Sequence, residues 1–543
     1  MYDGKQKAQR SSNVLSILAF LICLSAILLS FFRITYHIFS HSDGYLEIPE
    51  DDFFYYFITA KHILHEGIST FDGRTLTNGY HPLWMLVVIL VEELSCGSET
   101  VFFLFYAIIC SLSSFITYRL TVSIMHKAFA YSWIIHCSTI VTSLMSTWII
   151  FSGMEVTLTI PLYLLLILKV QEFSDGVLTK KHVFVFGFLA SLVILSRLDA
   201  IIDISFFTTY LFISSRGSIR QKLKLLPYLF IAGSLLLLYF ASNYVLFGSF
   251  ATISAQAKQL KSTGGIGFSV LGELRSSRNS FISVWIFPPA VILHTIFKTV
   301  FGHCKRLLLM LTLLVPFIHL IIFRTFSDWY LFAWYTYAFH IGNGIALASI
   351  LFLISRKIPR RFTSSLGYIS VLAVSLIILV PVFKRTVEET VKWNPHPGSI
   401  YAHARKIKAF TDSHPGIYAM GDRAGLTAYI THKSMVQIEG IMADRRMIKH
   451  IAAEDNLCEV LKEYNVDYVI FSTYTPMPQN NCTYSIEVPF EMQSGVKSKK
   501  MKGSFSEKPV FYYESPNDPR MPVVIYTYIF KISYVIGHVA PEV

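Results

Sequence analysis

The chain has 543 residues, of which 53% are hydrophobic and only 15% charged, and its mean hydropathy is +0.50. A soluble protein of this length needs far more charge to cover its surface, so the composition excludes a soluble globular enzyme. The net charge of +12 is carried by short basic loops between apolar runs. That is the pattern that orients spans in a bilayer, so we expect membrane lipid and not nucleic acid as a partner.

Apolar runs suited to spans occupy 13–32, 83–94, 101–124, 131–151, 156–170, 183–195, 200–214, 227–246, 284–300, 307–323, 330–354 and 366–383. The first is too long for a signal-peptide core and lacks a small-residue cleavage site, so it reads as a retained span. The basic loops at 5–10, 180–181, 216–224, 298–306 and 356–361 can all be cytoplasmic if each intervening pair of spans makes a round trip. The loop 33–82 and everything after 385 then lie outside. This predicts a multi-pass inner (plasma) membrane protein with a cytoplasmic N-terminus and an extracytoplasmic C-terminal domain. An odd total, about eleven, satisfies that orientation. Either 131–151 or 83–94 then fails to cross fully.

From 386 onward hydropathy drops and prolines and charges accumulate. The spacing predicts a helix at 401–413, a strand at 416–420, a turn at 421–425, a helix at 455–464 and a buried strand at 466–472. Such alternation indicates a small α/β domain. The segment 478–515 reads as irregular, with a basic loop at 497–502. The expected organisation is therefore a helical membrane domain over 1–385 and a soluble α/β domain over 386–543. Of the seven cysteines, Cys23, Cys110 and Cys137 lie in apolar runs as small packing residues. Cys458 and Cys482 could pair in an oxidising compartment. No metal-ligand spacing is present.

The first external loop reads EIPEDDFFYYFITAKHILHEGISTFDGRTLTNGYHPLW. Glu50, Asp51 and Asp52 precede an aromatic, amphipathic segment, 53–64, expected to lie along the membrane surface. Such carboxylates either complement a helix dipole or do chemistry at the headgroup level. Moving a sugar from a lipid phosphate to a hydroxyl needs a base for the acceptor proton and cations or donors for the departing phosphate. A carboxylate at this level meets both a lipid-borne donor and a water-borne acceptor.

Several segments carry a resemblance. Asp51–Asp52 is followed by FFYY, then TFDG at 70–73, TNGYHPLW at 77–84, SGME at 152–155, SRLDA at 196–200, NYVLFGSFATISAQAK at 243–258 and GDRAGLTAY at 421–429. In this order and at these positions the chain resembles the GT-C superfamily of membrane glycosyltransferases, nearest to the cell-wall arabinofuranosyltransferases and their bacterial relatives. The resemblance implies a GT-C helical fold, inversion at the anomeric carbon, a polyprenyl-phosphate sugar donor, an external active site and an envelope glycan acceptor. It implies Asp51 as general base, with Asp52 holding the site or the acceptor. Glu50 makes the pair a triplet, which leaves open which carboxylate is the base. TNGYHP departs from the arabinan enzymes, so arabinose is not implied. No cofactor is expected. An acidic triplet could hold a divalent cation, but the acid pair suffices without one.

Other residues join the candidate substrate-binding set. Arg197 and Asp199 lie between two apolar runs near the outer face. Arg197 suits a donor phosphate, whereas the plain alternative is a self-neutralising pair in a tight turn. Glu155 either caps the next helix or serves the site. His81, before Pro82, is either a structural hydrogen-bonder or a phosphate or acceptor contact. Lys258 either snorkels or meets the phosphate. Tyr55 stands beside the acid pair, and Glu50 and Asn78 complete the set, although Asn78 and Asp72 also suit turns. Gly421–Asp422–Arg423 follows a predicted strand, where α/β domains place ligand contacts. Three other functions compete: a transporter, a non-catalytic envelope scaffold and a protein O-mannosyltransferase. The lack of paired broken spans or an inverted repeat argues against transport.

Overall fold

The computed structural model describes residues 2–261 apart from 130 and 175, 303–355 apart from 328 and 330, scattered positions between 369 and 390, and 393–532 apart from 478–483, 490–498, 506–507 and 518–523. The expected span 284–300, most of 366–383, and Cys482 lie outside the described residues. The apolar runs form helices: α1 (Tyr2–Phe39), α3 (Pro82–Ser95), α4 (Glu99–Ala128), α5 (Ser132–Ile150), α6 (Val156–Phe173), α7 (Lys180–Ser196), α8 (Ile201–Ser214), α10 (Leu226–Ala232), α11 (Ser234–Phe247), α13 (His303–Phe326) and α14 (Tyr337–Ser355). Three further helices lie in connecting segments: α2 (Asp51–Glu66), α9 (Ile219–Leu223) and α12 (Ile253–Lys258).

This is a multi-pass membrane protein. Among the described residues four helices are long and apolar enough to cross a bilayer: Asn13–Phe39, Glu99–Ala128, Ser132–Ile150 and Val156–Phe173. The run 227–246 is broken at Gly233, where the two halves meet at 48°. Of the two runs expected to compete, 131–151 forms the 19-residue α5, and 83–94 forms the 14-residue α3. At about 1.5 Å per residue α3 is roughly 21 Å long, short of a ~30 Å hydrocarbon core. The run 330–354 is not one helix: a 3-10 turn, Ala333–Thr336, precedes α14.

Beyond Ser399 the chain forms an α/β domain with α15 (Ile400–Thr411), α16 (Ala424–Thr431), α17 (Arg445–Ala453) and α18 (Leu457–Glu463). Its strands are β1 (Tyr418–Met420), β2 (Met435–Gln437), β3 (Tyr468–Thr473), β4 (Tyr484–Val488), β5 (Met501–Phe505), β6 (Phe511–Glu514) and β7 (Tyr526–Lys531). A five-stranded sheet runs β2-β1-β3-β7-β6. β1 is parallel to β2 and β3, and β7 closes antiparallel on β3 and β6. β1 and β3 are buried throughout, which is why they read as continuous apolar runs. The segment read as irregular contains β4, β5 and β6. β4 and β5 pair antiparallel and present alternate residues to the core, and their polar outward positions (Ser485, Lys502, Ser504) mask a short period-2 signal.

The α/β domain rests directly on the membrane domain. Tyr401, Ala404, Leu426 and Tyr429 share one hydrophobic core with α2, α4, α5 and α6. α2 is the layer between them. Phe53 and Phe57 pack on Phe102 of α4 with ring centroids 6.1 and 4.3 Å apart, and Phe54 packs on Tyr429 of α16 at 5.1 Å. The segment expected to lie on the membrane surface is therefore buried on both sides, as an aromatic run covering every helix face requires.

Candidate active site

The triplet diverges at the start of α2. Glu50 precedes the helix, its backbone N–H donating to the Ser152 carbonyl at 2.8 Å. Its side chain is exposed and caps nothing. Asp51 turns to the α/β domain. Its carboxylate accepts the backbone N–H groups of Gly425 at 3.1 Å and Leu426 at 2.7 Å, so it complements the positive end of α16. A side chain at Gly425 would run into the Asp51 backbone, so only glycine permits this approach. Burial pushes the Asp51 carboxyl up to about 7, while the two N–H donors pull the other way.

Asp52 lines an open pocket that is also walled by Tyr55, Tyr56, His81, Glu155, Lys258 and Tyr335. Asp52 and Tyr56 stand one helical turn apart on the same face. Lys258, the last residue of α12, donates to the Tyr335 hydroxyl at 2.7 Å. Burial pushes the Asp52 carboxyl up to about 8, the Lys258 ammonium pulling it down and Asp51, Glu155 and Asp422 adding to the rise. Burial opposes the charge on Lys258, yet Tyr335 and Asp52 hold it above its ordinary value. A carboxylate, an ammonium and a phenolic hydroxyl thus line one pocket.

Beneath this cavity lies a closed ionic network. Arg197 is 1% exposed and does not line the cavity. Its Nη1 lies 2.5 Å from Glu155 Oε1, its Nη2 donates to Asp199 Oδ2 at 2.9 Å, and its Nε lies 2.9 Å from Asp199 Oδ1. The guanidinium also stacks between Tyr335 at 4.5 Å and Tyr337 at 5.5 Å. The 3-10 turn Leu198–Ala200 folds Asp199 back onto Arg197, so the self-neutralising pair that was the plain alternative for SRLDA does form, with Glu155 as a second anion. Burial opposes the charge on Asp199, but Arg197 and His319 hold its carboxyl far below the usual range. His81 Nδ1 accepts the Leu198 N–H at 3.2 Å, which leaves Nε2 facing Glu155 Oε1 at 3.8 Å. Burial holds His81 below its ordinary value. Glu155 also receives the Tyr56 hydroxyl at 3.4 Å. Deeper still, Asp203 accepts from Tyr337 at 3.0 Å and pairs with His319 at 2.8 Å.

The remaining candidates position others. Asn78 accepts the Ile253 N–H at 2.9 Å and donates to Asn243 Oδ1 at 3.3 Å, which fastens the α12 segment carrying Lys258. Asp72 accepts the N–H groups of Arg74 and Thr75 and shapes a turn. Tyr55 packs edge-on against Phe71 at 4.9 Å. Sequence reasoning missed Tyr56, Tyr335 and the Asp203–His319 pair. Ionisable residues inside the apolar runs 200–214 and 307–323 were the available signal for that pair. Tyr335 had none, being one aromatic among many. A second, small pocket, lined by Pro316, Leu320, Phe323, Leu331 and Phe339, has Tyr335 and His319 in its wall. Tyr335 therefore separates an acidic cavity from an apolar one. Among the described residues no group of three His, Cys, Asp or Glu could hold a metal ion.

No family model and no curated protein matches this chain. Solved structures do. ArnT from Cupriavidus metallidurans in the apo state is similar at a TM-score of 0.53 and 10% identity, over 83% of this chain and 92% of that one. The oligosaccharyltransferase of Archaeoglobus fulgidus in its apo form gives 0.48 and 12%, over 84% and 69%. The likeness to ArnT is one of fold, a multi-helix membrane architecture over most of both chains, and it agrees with the architecture that the motifs led us to expect.

Proposed function

We propose that this protein is an inverting glycosyltransferase that moves a sugar from a polyprenyl-phosphate donor to an extracytoplasmic glycan acceptor. The observation that carries this reading is the cavity in which Asp52 and Lys258 meet, with an apolar cavity on the far side of Tyr335. The donor phosphate sits at the Lys258 ammonium and the Tyr335 hydroxyl, and its isoprenoid chain follows the apolar wall. Asp52 takes the proton of the acceptor hydroxyl. That oxygen attacks the anomeric carbon from the side opposite the phosphate. The carbon–oxygen bond to phosphate breaks, and the phosphate leaves with the electron pair into a cationic, hydrogen-bonding pocket. One displacement gives one inversion.

In this reading the base is Asp52, and Asp51 holds the α/β domain over the site. Arg197 acts through Glu155 and Asp199 as a positioning residue, and the phosphate cation is Lys258. The α/β domain faces the extracytoplasmic side, from which the acceptor arrives, and the N-terminus is cytoplasmic. Consumption of polyprenyl-phosphate sugars by the protein in nanodiscs, with an envelope-glycan acceptor and Asp52→Asn as control, tests the reading. Asp52-dependent consumption of one donor with release of polyprenyl phosphate supports it. A folded protein that consumes no donor across a broad panel overturns it in favour of a scaffold.

A further inference from the structure

The helix α12 is six residues long, Ile253–Lys258. A helix of that length does not hold its shape alone, yet it carries the ammonium of the Asp52 pocket. It has two working faces. Ser254 and Lys258, four residues apart, line the pocket. Ile253 and Ala257, also four apart, lie on another face and are 1% and 2% exposed. Residues at that spacing share one side of a helix. What buries the second face is the α/β domain. Ile253 and Ala257 form a small core with Ile448 of α17, and Leu260 and Ile441 pack against it.

Further contacts fasten the same segment to the same domain. Arg445, the first residue of α17, donates from Nη1 to the Gly248 carbonyl at 2.7 Å, at the end of α11. The Lys499 N–H donates to the Leu260 carbonyl at 2.9 Å, just beyond α12. Gly440, at φ +85°, brings the loop after β2 against α12. A methyl group there would lie 3.3 Å from Ala257 Cβ and 2.8 Å from Ile448 Cδ1. Gln437 accepts the Ile441 N–H at 3.1 Å and so fixes that loop. Among the described residues the α/β domain puts only Ile441 and Met442 into the wall of the Asp52 pocket, and neither is charged. Its hold on the polar groups of the pocket runs through α12.

We propose that α17 is a positioning element for the Asp52 pocket: Arg445 and Ile448 anchor α12 so that the Lys258 ammonium is held at the Tyr335 hydroxyl, ready for the donor phosphate. Neither residue lines the pocket, so both act through Lys258. A lysine side chain and a six-residue helix that are ordered before an anion arrives spare the binding step that ordering cost. Once the anchor is lost, the lysine keeps its charge and loses its place. Phosphate binding then weakens, and Asp52 loses the cation that favours its ionised form. The effect on the donor rests on the function proposed above; the anchoring of α12 does not.

The test uses the full chain in nanodiscs and two readouts. The first is amide hydrogen exchange of the segment 253–260. Arg445→Met and Ile448→Ala should each speed it roughly tenfold or more, through loss of a charge-assisted hydrogen bond and of a buried contact. Arg445 is exposed, so its variant keeps the test intact if Ile448→Ala fails to fold. Lys449→Met removes a charge from an exposed position of the same helix and should leave that exchange unchanged. Unchanged exchange in Arg445→Met, or an equal rise in Lys449→Met, overturns the anchor. The second readout is sugar transfer. Arg445→Met should raise the donor KM roughly threefold or more and move the acid limb, set around Asp52 by Lys258, Asp51, Glu155 and Asp422, to higher pH. In a Lys258→Met background the same substitution should add less than about twofold, because both changes act on one group. Faster exchange with a parental donor KM and acid limb overturns the positioning role, provided that Lys258→Met moves both. If Lys258→Met moves neither, the proposed function fails instead, and the exchange result judges the anchor alone.

Discussion

Replacing Asp52 by Asn separates the two acidic residues of the first loop. The carboxamide keeps the shape of the side chain facing Lys258 and removes the proton acceptor. A positioned base contributes on the order of 10² to 10⁴ in rate, so single-turnover transfer should fall by about that factor with donor affinity little changed. The pH profile adds a quantitative check. Burial pushes Asp52 up to about 8, and a raised acid is inactive as a base while it holds its proton. Roughly a tenth of the free enzyme is ionised at about pH 7 and roughly nine-tenths at about pH 9. Activity should therefore be lost as pH falls through about 8, with kcat/KM rising roughly tenfold between about pH 7 and about pH 9. The assay is single-turnover sugar transfer in nanodiscs over that range, so that lipid exchange does not limit the rate. A variant within about threefold of the parent, or a parent profile flat across that range with chemistry limiting, refutes the assignment.

Lys258→Met should raise the donor KM by roughly tenfold to a hundredfold and move the acid limb to higher pH, because the ammonium lowers the Asp52 pKa; an unmoved limb would separate the two residues. Asp51→Ala leaves the N–H groups of Gly425 and Leu426 without their acceptor, at about 1–3 kcal/mol each. Its Tm should drop and the α/β domain should be clipped faster by protease while transfer stays well above that of Asp52→Asn; equal loss at an unchanged Tm would make Asp51 the base. Arg197→Met strands Glu155 and Asp199, which should cost about 3–5 kcal/mol. Adding Glu155→Gln should recover part of that loss, and an unshifted Tm in thermal unfolding would contradict the network.

How much of the site was legible follows from how each part is built. The acidic loop and SRLDA were visible because ionisable residues are costly at a membrane face and stand out among apolar runs, and SGME and the segment ending at Lys258 were singled out by the resemblance. The Arg197–Asp199 pair was legible because the two residues are near neighbours in one tight turn. The division of labour between Asp51 and Asp52 was not. Both occupy the first turn of one helix, and what distinguishes them is α16, which arrives 374 residues later to take Asp51. Tyr335 was hidden for the same reason: only the 3-10 turn before α14 brings it over Arg197 and Lys258.

The sequence by itself determined that the chain spans a membrane several times and carries an α/β domain after its last apolar runs, because hydropathy and periodicity are local properties that a bilayer and a sheet read directly. It also determined which residues were available for chemistry. The tertiary structure alone decided that the α2 segment is buried between the two domains, that Arg197 is sealed beneath the pocket, and which carboxylate shares the pocket with Lys258. Those outcomes depend on contacts between residues hundreds of positions apart, whose close approach is set by the packing of the whole core and by no local pattern.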